Sequence, residues 1–487
     1  MSAPDGREPL YLAIDQGGHA SRALVFDRRG LACAKGLKTV GERRAQPGWV
    51  EQDPEELVAS VRDAIAEALA ALGPRASRIA AAGLATQRSS VVCWDRETGA
   101  ALSPVLSWQD RRAHEWLAQF SGRAEEIHRA TGLMLSAHYG ASKLRWCLDH
   151  LPEVSAAHAR GRLALGPLAS FLLFRLLEER PLLVDPANAA RTLLWNLTTL
   201  DWDPRLTGLF GVPAECLPRC VPTRHAFGTL RADGVGVPLT IADGDQAAAL
   251  FAYGEPHANT AYLNMGTGAF VQRTCGHYPG DRPRLLTSVV YHDGTELTYV
   301  LEGTVNGAGA ALAWAGATLG LADIETQLPQ WLARDTEPPL FLNGVSGLGA
   351  PFWVADFPSR FVGSGEPWQQ ALAVAESIVF LIRANLDEMK SFASPVEQIF
   401  VTGGLSEYDD LCQRLADVSA MPVYRPTERE ATARGTAYLL AACPAEWPEP
   451  EIGLWFQPRP NPALADRYRR WRELLEQALR ETGSARG

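Results

Sequence analysis

The 487-residue sequence predicts an α/β protein of two similar halves, with helices packed on mixed sheets and a cleft between the halves. Three observations carry that reading. Strand-like and helix-like segments alternate from end to end, as they do where helices flank sheets. A glycine hairpin opens the chain at "AIDQGGHASRALVFD" (13–27), and "AYLNMGTGAFVQR" (261–273) repeats its order of strand, glycine turn, strand. Two like hairpins, each opening one half, indicate a duplicated domain with a cleft.

In chain order, Tyr11 to Ile14 and Ala23 to Phe26 read as paired strands. "DPEELVASVRDAIAEALAAL" reads as a helix: Asp53 can cap it, Pro54 suits its first position, and Glu56 stands at capping-box spacing. Leu57, Val58, Val61, Ile65, Ala68 and Leu69 fall on one helical face. "RIAAAGLAT" and "SVVCWD" read as buried strands. In "PLTIADGDQAAALFAYG" the strand is expected to end at Ala242, with Asp243 to Gln246 leading into a helix from about Ala247. "QIFVTGGLSEYDDL" is again strand, Gly-Gly, helix.

Composition removes several function classes. The net charge is −10, with no Lys/Arg-rich run, which disfavours a nucleic-acid or anionic-membrane partner. Apolar content of 46% with 21% charge is that of a soluble globular protein. The eight cysteines are scattered; Cys216 and Cys220 are close but lack a second pair at zinc spacing, so reduced thiols in a cytoplasmic protein are expected. The start "MSAPDGREPL" has no apolar signal core, and no apolar run is long enough to span a bilayer.

Each glycine turn alone suits an ordinary hairpin or strand–helix loop. Together with strand-end acids they suit another chemistry. Backbone N–H groups in glycine turns can approach phosphate oxygens without a Cβ in the way, and helix N-termini add a favourable dipole. Asp15 and Asp245 beside such loops would repel phosphate directly, so each needs a cation between or a proton to accept.

Nine blocks, in order, resemble the FGGY carbohydrate kinases and most closely their glycerol kinase branch: "QPGWVEQDPEEL", "LSWQDRR", "TGL…SKLRWCLDH", "DGDQAAALFAYG", "NMGTGAF", "LEGTVNGAGAALAW", "GLGAPFW", "VTGGL" and "RPTEREATARGTAYLL". The resemblance implies two actin-like (ribonuclease-H-like) domains, residues 1–248 and 249–487, with the active site in their cleft. It implies ATP and Mg²⁺ as cofactors, a small polyol or sugar as acceptor, and is compatible with a homo-oligomer. By the same resemblance Asp245 is the catalytic base, and Asp15 the acid that helps hold Mg²⁺. Gly17, Gly18, His19 and Arg22 belong to the first phosphate loop, and Gly266, Thr267 and Gly268 to the second. Gly309 is a nucleotide contact, and Gly403, Gly404 and Tyr408 lie by the adenosine. Arg88, Ser89, Trp108, His138, Gln246 and Phe270 surround the acceptor with Asp245.

Several of these positions differ from the glycerol kinase pattern. Ser89 stands where that branch has a Glu, and His138 aligns with its pocket Tyr, with Tyr139 the alternative. The opening loop reads "DQGGH", with Gly18 and His19 in place of two threonines. Ala313 replaces a Gln near the adenine, and Tyr408 an Asn. A longer polyol or a ketose is therefore expected to be a better acceptor than glycerol. Two other readings remain at this point: a weakly active or inactive relative that regulates by binding sugar or nucleotide, and an actin-like ATPase or phosphatase without a sugar acceptor.

Overall fold

The computed structural model describes residues 8–232, 234–334, 336–390, 395–449 and 452–481. Its first half is built on a six-stranded sheet of β1 (Leu10–Gln16), β2 (Ala20–Phe26), β3 (Ala32–Thr39), β4 (Ile79–Thr86), β5 (Arg224–Ala232) and β6 (Val235–Gly244), in the order β5-β6-β4-β1-β2-β3. The second half is built on a seven-stranded sheet of β7 (Thr260–Met265), β8 (Ala269–Cys275), β9 (Leu286–His292), β10 (Leu297–Val305), β11 (Gln398–Thr402), β12 (Val423–Arg425) and β13 (Leu454–Phe456), in the order β9-β10-β8-β7-β11-β12-β13. In each sheet the hairpin's first strand pairs antiparallel with the second and parallel with a later strand, β4 beside β1 and β11 beside β7. The repeated hairpin of the sequence thus opens two sheets of like topology, which is the actin-like arrangement.

Helix α1 (Pro54–Leu72) covers one face of the first sheet with its expected apolar positions, all buried. Leu12 and Ile14 of β1 meet that face, while Ala13 turns to a second cluster on the opposite side. Asp53 caps α1 through the N–H groups of Glu55 and Glu56. The capping box does not close: the Glu56 carboxylate accepts from Gly41 N at 2.8 Å, because the chain leaving β3 brings a free donor within reach.

The halves interlock. Helix α5 (Ala431–Leu440), late in the chain, packs on β1, β4 and α3 (Asp245–Ala249) of the first half. Its Gly435 lies so close to the Ala248 carbonyl that a Cβ there would collide. The cluster around Ala13, Leu24, Val290, Ala433 and Ala437 draws on both halves. Among the described residues, no helix is long and apolar enough to cross a membrane.

Candidate active site

β1 brings Asp15 to the end of the first sheet, directly across the hairpin from Arg22, whose Nη1 stands 3.3 Å from Asp15 Oδ2. Arg22 Nε is 3.5 Å from Glu430 Oε2, and Lys35 pairs with the same carboxylate. Glu430 immediately precedes α5, so the second half reaches the first hairpin through charge. Burial, and next the charge of Asp245, push the Asp15 carboxyl up to about 7, with Arg22 opposing.

The β6–α3 junction differs from the sequence expectation. The strand continues to Gly244 and the helix starts at Asp245, not near Ala247. Parallel pairing of β6 with β4 persists to Gly244 beside Thr86, holding the backbone extended past the last apolar residue. Asp245 is therefore the first helical residue rather than a cap. Its Oδ1 accepts from Gln246 N at 2.7 Å, and Arg88 Nε lies 3.8 Å away. Burial raises the Asp245 pKa, and Arg88 restrains the rise.

Arg88 is buried and donates from Nη2 to Gln246 Oε1. Behind it stands Glu302 of β10, whose Oε2 is 3.7 Å from Arg88 Nη2 and accepts from Arg191 Nη2 at 2.8 Å and Gln272 Nε2 at 3.0 Å. Burial alone would raise the Glu302 pKa, but Arg191 and Arg88 hold it below the ordinary range. Ser89 is buried in the left-handed region at φ +65°, its hydroxyl without a partner.

Trp108 and His138 are half-buried, with ring centroids 5.8 Å apart. Burial, then the charge of Arg111, drive the His138 pKa well below its usual value, so the imidazole is neutral. Tyr139 instead points inward, buried and hydrogen-bonded to Arg191, so His138 is the residue beside Trp108. A Cβ on Gly18 would lie 3.7 Å from Trp108 Nε1, placing the first glycine turn against this wall.

The turns are more committed than their sequences suggest. Gly17 N donates to Ala20 O at 2.9 Å and is not free for a ligand; the Gly18 N–H remains without a backbone partner among the described residues. His19 is exposed at the tip. In the second loop Gly266 N bonds Gly268 O at 2.8 Å, and Gly309 N bonds Gly266 O at 3.0 Å. Ala308 N and Ala310 N both reach Thr267 O, clamping the loop to the start of α4 (Gly309–Leu319). Gly309 therefore shapes the loop through an N–H already in use. Gly403, at φ +92°, presses on the Met265 backbone where no Cβ fits, while Gly404 faces open space. Tyr408 is half-buried against the second-half core, and burial raises its pKa. Phe270 is half-buried on β8 opposite Thr304.

The structure thus gathers Asp15, Gly18, Arg22, Arg88, Ser89, Trp108, His138, Asp245 and Gln246 around the β1, β4 and β6 ends. A second group holds Gly266 to Gly268, Gly309 and Gly403. The sequence reading passed over Arg191, Glu302 and Glu430. Glu302 carried a signal: a lone acid inside the apolar run "YVLEGTV" must find a buried cation.

Comparison with known proteins bears directly on this arrangement. The profile of the N-terminal domain of the FGGY family of carbohydrate kinases matches residues 10–252, and that of its C-terminal domain residues 261–443. The chain belongs to the FGGY family of carbohydrate kinases. This FGGY kinase is 36% identical over 492 residues to a glycerol kinase of Aromatoleum aromaticum, covering 96% of this chain and 98% of that one. It is 37% identical over 442 residues to a glycerol kinase of Alkalilimnicola ehrlichii, covering 88% and 89%. In fold it is similar to Plasmodium falciparum glycerol kinase with ADP, with a TM-score of 0.87 at 23% identity over 97% of this chain and 98% of that one. A xylulose kinase of Brucella ovis gives a TM-score of 0.85 at 22% identity, over 98% and 100%. As a member of this family the protein is an enzyme, a phosphotransferase acting on a carbohydrate or polyol.

Proposed function

We propose that this FGGY kinase transfers the γ-phosphoryl group of ATP to a hydroxyl of a small polyol or sugar, with Asp245 as base. The observation that carries the reading is the position of Asp245: first residue of α3, its carboxylate 3.8 Å from Arg88 and electrostatically coupled to Asp15. A carboxylate whose pKa is raised is the better proton acceptor. Arg88 and Gln246 orient the acceptor through its hydroxyls, and Trp108, His138 and Phe270 supply the flatter walls. The attacking oxygen bonds phosphorus as the bond to the β-phosphate oxygen breaks, ADP departs, and Asp245 keeps the hydroxyl proton.

The phosphates fall to Gly18, Thr267 and Gly268, with Gly403, Gly404 and Tyr408 on the nucleoside side. Residues 1–248 then form the acceptor domain and 249–487 the nucleotide domain. Asp15 is buried and the charge of Asp245 raises its pKa further; such a pair of carboxylates suits a hard divalent cation with oxygen ligands, so Asp15 would hold Mg²⁺. When bound, Mg²⁺ supplies neutralisation of phosphate charge. The branch resemblance favours a glycerol-like acceptor, whereas Ser89 and His138 favour one longer than glycerol. The test is ADP release by purified protein with Mg-ATP against a panel of polyols and ketoses. No acceptor-dependent release from any of them would refute the reading.

A further inference from the structure

One residue unites three parts of the acceptor wall that lie far apart in sequence. Lys143 sits in α2 (Gly140–His150), within the "SKLRWCLDH" block, and is 1% exposed. Its Nζ donates to Ser89 O at 2.9 Å, Ser107 O at 2.8 Å and His138 O at 2.8 Å. Ser89 follows Arg88, Ser107 precedes Trp108, and His138 is itself a wall residue. Three carbonyls around one nitrogen require three N–H donors, which only the ammonium form offers. Burial works against that charge, as does Arg111, while Asp110 supports it. A buried charge held this way is costly to lose, because its removal leaves three carbonyls without a donor. The Ser89 carbonyl also belongs to the residue at φ +65°, so the ammonium stabilises the strained turn that presents Arg88.

We propose that Lys143 is a positioning residue of the acceptor pocket: it fixes the Ser89, Ser107 and His138 backbones so that Arg88, Trp108 and His138 meet the acceptor in a single geometry. This rests on the acceptor-pocket reading above. The nucleotide loops around Gly266 and Gly403 make none of these bonds, and the first turn meets the wall only where Gly18 abuts Trp108, so the effect of Lys143 falls chiefly on the acceptor side.

The test is Lys143→Met, which keeps length and loses the donors, beside Lys143→Gln and Lys143→Arg. The Met variant is expected to raise the acceptor KM at least tenfold, while Mg-ATP affinity, measured by calorimetry without acceptor, stays within threefold of the parent. Arg, which restores several donors, is expected to recover part of the acceptor KM. A partly unfolded preparation lowers kcat but leaves KM unchanged, so a merely structural role predicts no KM shift. If the Met variant does not fold, Lys143→Gln carries the same measurement, with a rise of at least fivefold expected. An acceptor KM within twofold of the parent, or an equal loss of acceptor and nucleotide binding, overturns the proposal. A parent that phosphorylates no acceptor overturns the pocket reading and this proposal with it; an active parent leaves the Lys143 variants to decide the proposal alone.

Discussion

Arg88 Nε stands 3.8 Å from Asp245 Oδ1, and the two side chains come from the ends of neighbouring parallel strands, β4 and β6. The cation is close enough to restrain the pKa of the acid yet holds it by no short hydrogen bond. The carboxylate, 28% exposed as a side chain, therefore stays available to a hydroxyl proton.

Asp245→Asn is expected to fold normally and lose about 100- to 10,000-fold in kcat, the range for removing a positioned general base. Folding survives because α5 grips this residue through its backbone: Thr432 Oγ1 donates to Asp245 O at 3.2 Å. Steady-state kinetics with unchanged circular dichroism checks it. Activity near that of the parent would remove Asp245 from the base role.

Asp15→Ala is expected to weaken Mg-ATP binding far more than acceptor binding. The acid lies on the first glycine hairpin, bonded to Arg22, and in the proposed function it acts on the nucleotide through a cation. Separate calorimetric titrations with each ligand decide the matter. Equal losses for both, or none for Mg-ATP, would return "DQGG" to a plain hairpin turn.

The same residue sets a pH dependence. Its folded pKa is about 7, against 3.8 for an ordinary Asp. Between those values the folded protein keeps a proton that the unfolded chain has lost. The Asp15 contribution to stability is therefore complete below pH 4 and is lost as pH rises to about 7. The slope is at most about 1.4 kcal/mol per pH unit. Urea midpoints of ligand-free protein in chelator should fall from pH 5 to pH 7.5, and Asp15→Asn should flatten that fall. Parallel profiles for the two proteins would contradict the assignment.

What the sequence made legible was local and periodic. The apolar face of α1 and the repeated hairpins could be read because helix and strand periods are written in neighbouring residues. The β6–α3 boundary was misplaced because its last two strand residues are held by pairing to β4, a contact between distant segments. Glu56 found Gly41 instead of its own helix end for a similar reason. Asp15 and Asp245 stood out through their motifs, whereas the Arg191–Glu302 pair and the bonds of Lys143 to the Ser89 and Ser107 carbonyls each join segments far apart in the chain. Gly17 and Gly309 show the converse: their motifs stand at turns, but the structure spends their N–H groups on the turns themselves.

Acceptor choice is expected to follow from Ser89 and His138. The Ser89 hydroxyl is buried without a partner where a Glu would offer two carboxylate oxygens, and a neutral His138 ring stands beside Trp108. In the proposed pocket a three-carbon polyol would find few polar partners beyond Arg88, Gln246 and Asp245, while a four- or five-carbon polyol or ketose would extend toward the aromatic wall. Glycerol is expected to have a lower kcat/KM than the best longer acceptor. One charged hydrogen bond is worth about 1.5–3 kcal/mol, so supplying a carboxylate through Ser89→Glu should improve glycerol use by about 10- to 100-fold. The same substitution should penalise the longer acceptor by crowding. The backbone adds no new strain, because Ser and Glu meet the same restriction at φ +65°. The measurement is kcat/KM for glycerol and for the best panel acceptor in both proteins. A parent that already prefers glycerol would show that Arg88, Gln246 and Asp245 suffice for three carbons, and that the position of Ser89 does not set acceptor length.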